Sequence, residues 1–148
     1  MARLTPSDSM IKFERIKNAT DEAILEGLVL LLKSGDAYSK RAVNEIKTSK
    51  TRYYFAWDGD KVVGIAGVDL DKHVIKDVAV DKTYRRKGIA TELNKIILES
   101  LATHSAREFV RKTNTAMLKL LMTKFNGIIL PAEQRFDGEE MVEVVIRL

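Results

Sequence analysis

No cysteine occurs in this chain of 148 residues, and only two histidines do. The first absence excludes disulfides, thiolate nucleophiles and thiolate zinc sites. The histidines, His73 and His104, lie far apart without metal-ligand spacing, so no metal is expected. Equally absent is an apolar run long enough to span a bilayer, and the N-terminus shows no signal-peptide hydrophobic region. Cytoplasm is therefore the expected compartment, with no membrane partner. No internal repeat, low-complexity tract or linker divides the sequence. A composition 45% hydrophobic and 31% charged belongs to a folded globular protein rather than a disordered one. One domain over 10–148 is expected, behind a loose arm at 1–9 that carries Pro6 and small polar residues. The net charge of +4 mildly favours anionic partners.

What is present is a change of hydrophobic period along the chain. Ile11 to Ile16 alternates apolar and polar residues, as a first strand does. Thr20 can cap a helix to about Lys33, with Asp21 and Glu22 in its first turn. Its apolar set, Ile24, Leu25, Leu28, Val29, Leu31 and Leu32, is expected to face a core, and Gly35 stops it. A second short helix is expected around Ser39 to Thr48, with Val43 and Ile46 inward. Tyr53 to Trp57 and Lys61 to Val68 flank Asp58-Gly59, a hairpin signal. A strand from Val74 to Val80 precedes a helix from Ile89 to about Thr103, and Arg107 to Arg111 reads as a short strand. A helix from Thr115 to Lys124, capped by Thr113 or Asn114, ends at Asn126-Gly127. Ile128-Ile129-Leu130 starts another strand, and Asp137-Gly138 turns the chain into the last one, Met141 to Ile146. The order β-α-α-β-β-β-α-β-α-β-β describes an α/β domain, or α+β by a stricter definition.

The connection from Val80 into the helix at Ile89 carries the most chemistry. A loop that opens a helix leaves backbone N–H groups free at the positive end of the helix dipole. Gly88 and Ala90 lack bulky side chains, so a phosphate can approach that backbone. Arg85, Arg86 and Lys87 add charge for an anion with more than one phosphate. This is the chemistry of a pyrophosphate cradle.

In this setting, Arg85-Arg86-Lys87-Gly88-Ile89-Ala90 resembles the Arg/Gln-x-x-Gly-x-Gly/Ala pattern of the GNAT superfamily of acetyl-CoA-dependent N-acetyltransferases. The Val78-Ala79-Val80 strand end, the Tyr84-Arg85 pair and the helix with Leu93, Ile96, Ile97 and Leu101 strengthen it. Asn114 opens a helix near the place where the family has an Asn that contacts CoA. The resemblance runs from about Met10 to the C-terminus. It implies a mixed, mostly antiparallel sheet with splayed central strands, and acetyl-CoA as cosubstrate. By the same resemblance, the main chain of Arg86, Lys87, Gly88, Ile89, Ala90 and Thr91 holds the pyrophosphate. Arg85 completes the basic loop, and the side chains of Arg86 and Lys87 reach phosphate oxygens. The backbone of Val78, Ala79 and Val80 pairs with the pantetheine arm like an extra strand. The Val80 N–H then donates to the thioester oxygen as negative charge grows there. Without a ligand, Val78, Ala79 and Val80 read simply as core, and Asn114 as a helix cap.

The acid and base are harder to place. The family often uses a strand Glu or Asp, through a water, and a late-helix Tyr that protonates the leaving thiolate. No tyrosine follows Tyr84, and Leu118, Leu120 and Leu121 stand where that group would be sought. Asp77, just before the CoA-binding strand segment, is the first candidate to order the amine or a water. The Asp-Val-Ala-Val arrangement is similar to that of sugar-phosphate amine acetyltransferases, but Lys76 stands where those often carry Glu. Glu108 is the second candidate. Each also reads as a solvated or salt-bridged strand carboxylate, and that simpler reading is preferred. Tyr53, Tyr54 and Trp57 read as sheet builders, Tyr84 as packing under the loop, and Tyr38 as a lining residue of an acceptor pocket. The histidines read as surface residues near turns.

The expected reaction is direct acetyl transfer from acetyl-CoA to a primary amine in a ternary complex. An acetyl-cysteine intermediate is impossible in a chain without cysteine. Two alternatives compete: a CoA-binding module without catalysis, and a nucleic-acid-associated protein using the basic loop. The second is disfavoured because CoA phosphates would occupy those cations and no aromatic residues are interleaved for stacking. The resemblance places the acceptor pocket at Lys33 to Lys50 and Pro131 to Met141. Glu133 to Glu140 holds four acidic residues against Arg135, which favours a cationic amine. Small family members often pair through their late strands, so a homodimer is compatible.

Overall fold

The computed structural model describes residues 10–16, 21–33, 51–136 and 138–148, with the side chains of 21, 28, 32 and 132–136 left aside. The arm at 1–9, Thr20, Tyr38, the helix expected at Ser39 to Thr48, and Asp137 lie outside the described residues. The elements are β1 (Ile11–Arg15), α1 (Asp21–Lys33), β2 (Thr51–Asp58), β3 (Lys61–Asp69) and β4 (Val74–Val80). A 3-10 turn over Lys82–Tyr84 leads to α2 (Ile89–Ser100) and β5 (Ser105–Arg111). Then follow α3 (Thr115–Lys124), β6 (Ile128–Phe136) and β7 (Glu139–Arg147).

Seven strands form one sheet in the order β1-β2-β3-β4-β5-β7-β6. All neighbours are antiparallel except β4 and β5. Helix α1 covers one face, with Ala23, Leu30 and Leu31 against Tyr53, Phe55, Ile65 and Ala79. Helices α2 and α3 cover the other with Ile89, Leu93, Ile97, Leu98, Leu121 and Phe125. Alternating side chains along the strands supply both layers.

Two readings need correction. Among the described side chains, the buried stripe of α1 is Ala23, Gly27, Leu30 and Leu31; of the expected set Leu31 is buried, Leu25 and Val29 are exposed, and Leu28 and Leu32 lie outside the description. Gly27 sets that stripe: a Cβ there would meet Phe55 Cζ at 2.8 Å, so the helix backbone seats directly on the Phe55 ring. Helix α2 ends at Ser100 rather than Thr103, because Leu101 turns extended (φ −91°, ψ 139°) and is buried in the core. The strand starting at Ile128 runs through Pro131 to Phe136, with a register break between Ile129 and Glu133. Proline cannot donate to a ladder, and β6 is an edge strand that tolerates it.

Candidate active site

Strands β4 and β5 pair at only two positions, Val74 with Arg107 and Ile75 with Glu108. Farther along, Lys76, Ala79 and Val80 pair with β3 alone, while Phe109 and Arg111 pair with β7. The two central strands therefore splay, and a gap opens between them.

A bulge shapes the β4 side of that gap. Ile65 pairs with Ala79 and Gly67 with Lys76, so Asp77 and Val78 together face the single residue Ala66. Asp77 takes up the extra residue at φ +57°, a left-handed conformation that Asp tolerates better than most side chains. Strict alternation would place Ile75, Asp77 and Ala79 on one face. Instead Ile75 packs under α2 and α3, whereas Ala79 packs under α1. Asp77 is turned to the α1 face, where its Oδ2 accepts a hydrogen bond from the Tyr53 hydroxyl at 2.8 Å.

Past the bulge, Asp81 N–H donates to Val63 O at 2.8 Å. That bond makes Gly64–Val80 a pair whose backbone groups turn away from each other. The Val80 N–H thus faces the gap rather than β3. Gly64 also seats α2 on the sheet, since a Cβ there would meet Ile89 Cγ2 at 2.9 Å.

The connection into α2 is held from beneath. The Tyr84 ring is buried, and its hydroxyl donates to Asp58 Oδ2 at the end of β2. That hydrogen bond, then burial, pushes the phenol above its ordinary range. Lys61 Nζ lies 5.6 Å from the centre of the Tyr84 ring and 3.7 Å from Asp81 Oδ2. Asp81 Oδ1 accepts from the Thr83 N–H and hydroxyl. Burial opposes ionisation of Asp81, but the Thr83 bonds and Lys61 outweigh it and hold the carboxyl below the usual range. Above this base Arg86 (φ +63°) and Gly88 (φ +80°) are both left-handed. Gly88 caps α2 without a side-chain bond, and a Cβ there would meet nothing within 4 Å. Main-chain donors in such a turn form a concavity suited to anions.

A cleft of about 720 Å³ runs from this loop to the gap. Val78, Ala79, Val80, Arg85, Arg86, Gly88, Ile89, Ala90, Thr91 and Asn114 line it. Lys87, expected with them, is exposed and outside the lining. A narrower cleft of about 130 Å³ continues between the splayed strands and holds both candidate carboxylates, Asp77 and Glu108. Val78, Asn114 and Met117 border both clefts. Asn114 Oδ1 accepts from Met117 N–H at 3.2 Å, so the side chain caps α3 and borders the cleft at once.

Glu108 departs from its sequence reading. It is neither solvated nor salt-bridged: it is 4% exposed, and its Oε2 has no partner. Burial pushes its carboxyl up to about 8. Tyr53 builds the sheet as expected and also reaches Asp77, a contact visible only once the bulge is known. From α3 the wide cleft receives Ala116, Met117, Leu120 and Lys124. Two acids of the late hairpin meet cations at and just after the end of β5. Glu139 pairs with Arg111 at 2.9 Å and Glu140 with Lys112 at 3.6 Å. Among the described residues no group of three metal-ligating side chains occurs, and no helix is long and apolar enough to cross a membrane.

The sequence profile of the acetyltransferase (GNAT) family matches residues 22–127. No curated protein matches the chain. Three solved structures illustrate its fold. The Pyrococcus horikoshii protein PH1933 is 22% identical with a TM-score of 0.72, over 93% of this chain and 98% of that one. The ribosomal-protein-S18-alanine N-acetyltransferase of Escherichia coli is 17% identical with a TM-score of 0.72, over 93% and 94%. A GNAT family acetyltransferase of Elizabethkingia anophelis with acetyl-CoA bound is 17% identical with a TM-score of 0.69, over 93% and 98%. The splayed parallel pair, the glycine-opened helix beside it and a profile match across most of the chain agree: the protein belongs to the GNAT acetyltransferase family.

Proposed function

We propose that this protein moves an acetyl group directly from acetyl-CoA to a primary amine, with both substrates bound together. The observation that carries the reading is the continuous lining from the Arg85–Thr91 loop to the gap between β4 and β5. Such a lining suits a long substrate with a pyrophosphate at one end and a thioester at the other. The acetyl-CoA-bound structure from Elizabethkingia anophelis supports the choice of donor.

In this reading the main chain of 86–91 and the guanidinium groups of Arg85 and Arg86 hold the pyrophosphate. The β4 backbone from Val78 to Val80, freed from β5, takes the pantetheine arm, and Asn114 offers its Nδ2 while Oδ1 caps α3. The Val80 N–H is held by the sheet and aimed into the gap, as a preorganised donor to the thioester oxygen must be. Asp77, steadied by Tyr53 on the opposite face, orders the amine or a water that removes its proton. Lys87 contributes long-range charge alone. The chain is expected to act in the cytoplasm.

Calorimetric titration with acetyl-CoA of the wild type and of Gly88→Glu tests the reading. Binding by the wild type and its loss in the variant support it. A well-folded wild type that does not bind acetyl-CoA rejects it.

A further inference from the structure

Helix α3 presents no hydroxyl and no carboxyl among the residues lining the two clefts, and its Lys124 lines the wide cleft alone, so at the narrow cleft the thiolate that leaves acetyl-CoA has no proton donor on that helix. An acidic side chain does reach the same side of the sheet from β5. Glu108 alternates with Ala106 and Val110, both buried in the core beneath α2 and α3. Its neighbours across the strands are Ile75 and Val144, both in that same core. It stands at the last paired position before the strands part and borders the narrow cleft with Val78, Asn114 and Met117. Its Oε2 is buried without a partner. The other charged residues bordering this cleft are Lys76, Asp77 and Arg111. Asp77 is held by Tyr53 on the opposite face, and Arg111 Nε is 2.9 Å from Glu139. Arg107, next to Glu108 in sequence, pairs with Glu143 at 3.2 Å.

We infer that Glu108 is the general acid of the transfer, delivering its proton to the sulfur that leaves the thioester. The inference rests on the acetyl transfer proposed above. The amine lone pair forms the new N–C bond, the C–S bond breaks, and its electron pair stays on sulfur. The Glu108 carboxyl O–H protonates that sulfur through water held in the narrow cleft, leaving a thiol and a Glu108 carboxylate. The amine nitrogen releases its surplus proton on the Asp77 side to solvent. Solvent then returns one proton to Glu108 once the cleft opens, so protons balance over the cycle. The apolar surroundings keep the acid protonated up to about 8. An alkyl thiol ionises near about 8.5, so donor and acceptor are closely matched.

The test compares wild type with Glu108→Gln, which keeps the buried shape and loses the acid. Acceptors are a panel of lysine peptides, peptide N-termini and polyamines, with CoA release followed as free thiol. For the best acceptor, kcat should fall by about 10²-fold while acetyl-CoA affinity holds, and the alkaline limb of wild-type kcat near 8 should vanish. Infrared difference spectra of the ligand-free protein between about pH 6 and about pH 10 give a second readout. They should show a buried carboxylic acid band titrating in wild type and missing in Glu108→Gln. Equal kcat in the two proteins, or a wild-type carboxyl already ionised at neutral pH, overturns the assignment. If Glu108→Gln fails to fold, the wild-type spectra and pH profile decide the matter. Absence of acetyl-CoA binding in wild type would instead reject the acetyltransfer reading itself.

Discussion

The Tyr53 hydroxyl donates to Asp77 Oδ2 at 2.8 Å, from β2 past β3 to a residue that a bulge has turned to the α1 face. The contact is possible because β3 is small between them. A Cβ on Gly67 would lie 2.7 Å from Tyr53 Cε1, so the tyrosine ring rests on bare backbone. The bond fixes the direction of a carboxylate at the mouth of the narrow cleft.

Asp77→Asn should therefore separate chemistry from backbone, since Asn also tolerates the left-handed conformation. It is expected to lower kcat for the acceptor amine by about 10²-fold with unchanged acetyl-CoA affinity. Tyr53→Phe should cost about 1 kcal/mol of stability and a smaller part of kcat, because the carboxylate remains but is less well oriented. Steady-state kinetics with calorimetric affinities check both. Full turnover in Asp77→Asn would remove the residue from the mechanism.

Two glycines near the cradle should fail in different ways. A valine at Gly64 has to displace Ile89, whose Cγ2 lies 2.9 Å from the new Cβ, and so lifts the start of α2. Gly64→Val is expected to lose roughly 1–3 kcal/mol of stability together with acetyl-CoA affinity. Gly88→Glu meets no atom, and its left-handed backbone costs about 1–2 kcal/mol. Its larger effect should be on affinity, through negative charge beside the phosphates. Urea midpoints plotted against Kd would distinguish them, and identical behaviour would contradict the packing argument.

Much of this architecture is legible in the residues. The change from helical to alternating period marks the elements, and Gly88 between a basic loop and an amphipathic helix marks the cradle. Three things are not. Alternation cannot reveal that one extra residue at Asp77–Val78 reverses the faces of β4, because a bulge leaves no periodic trace. Glu108 reads as a surface carboxylate because charged residues are seldom buried unpaired. Its burial depends on which strands flank β5 and on the helix laid over it. Glu139 and Glu140 read as excess charge because their partners, Arg111 at the end of β5 and Lys112 just after it, lie far away in sequence.

Tyr84→Phe tests whether the loop is anchored from below. It removes the donor to Asp58 while leaving the ring packed and Lys61 above it. Asp58 Oδ2 then loses that donor. The expected cost is about 1–2 kcal/mol, with a severalfold loss of acetyl-CoA affinity from a looser cradle. Amide exchange at 82–88 should quicken in the variant, and unchanged exchange would mean the loop is held by other contacts.

Glu108 also makes a prediction about stability that is independent of catalysis. A free glutamate ionises near about 4.3, and Glu108 only at about 8. Within that window the native state keeps a proton that the unfolded chain has released. Stability must then fall as pH rises, by up to roughly 1.4 kcal/mol per pH unit, and level off once the buried carboxyl ionises. Glu108→Gln has no such proton. Its buried amide leaves polar groups poorly satisfied, costing about 1–3 kcal/mol at every pH, so it should be the less stable protein in mild acid. Its curve is flatter, however, and should meet or cross that of wild type between about pH 5 and about pH 6.5. Urea unfolding midpoints across the pH range measure this directly. Parallel curves would mean that Glu108 ionises as easily in the fold as out of it, through solvent or a cation reaching the narrow cleft.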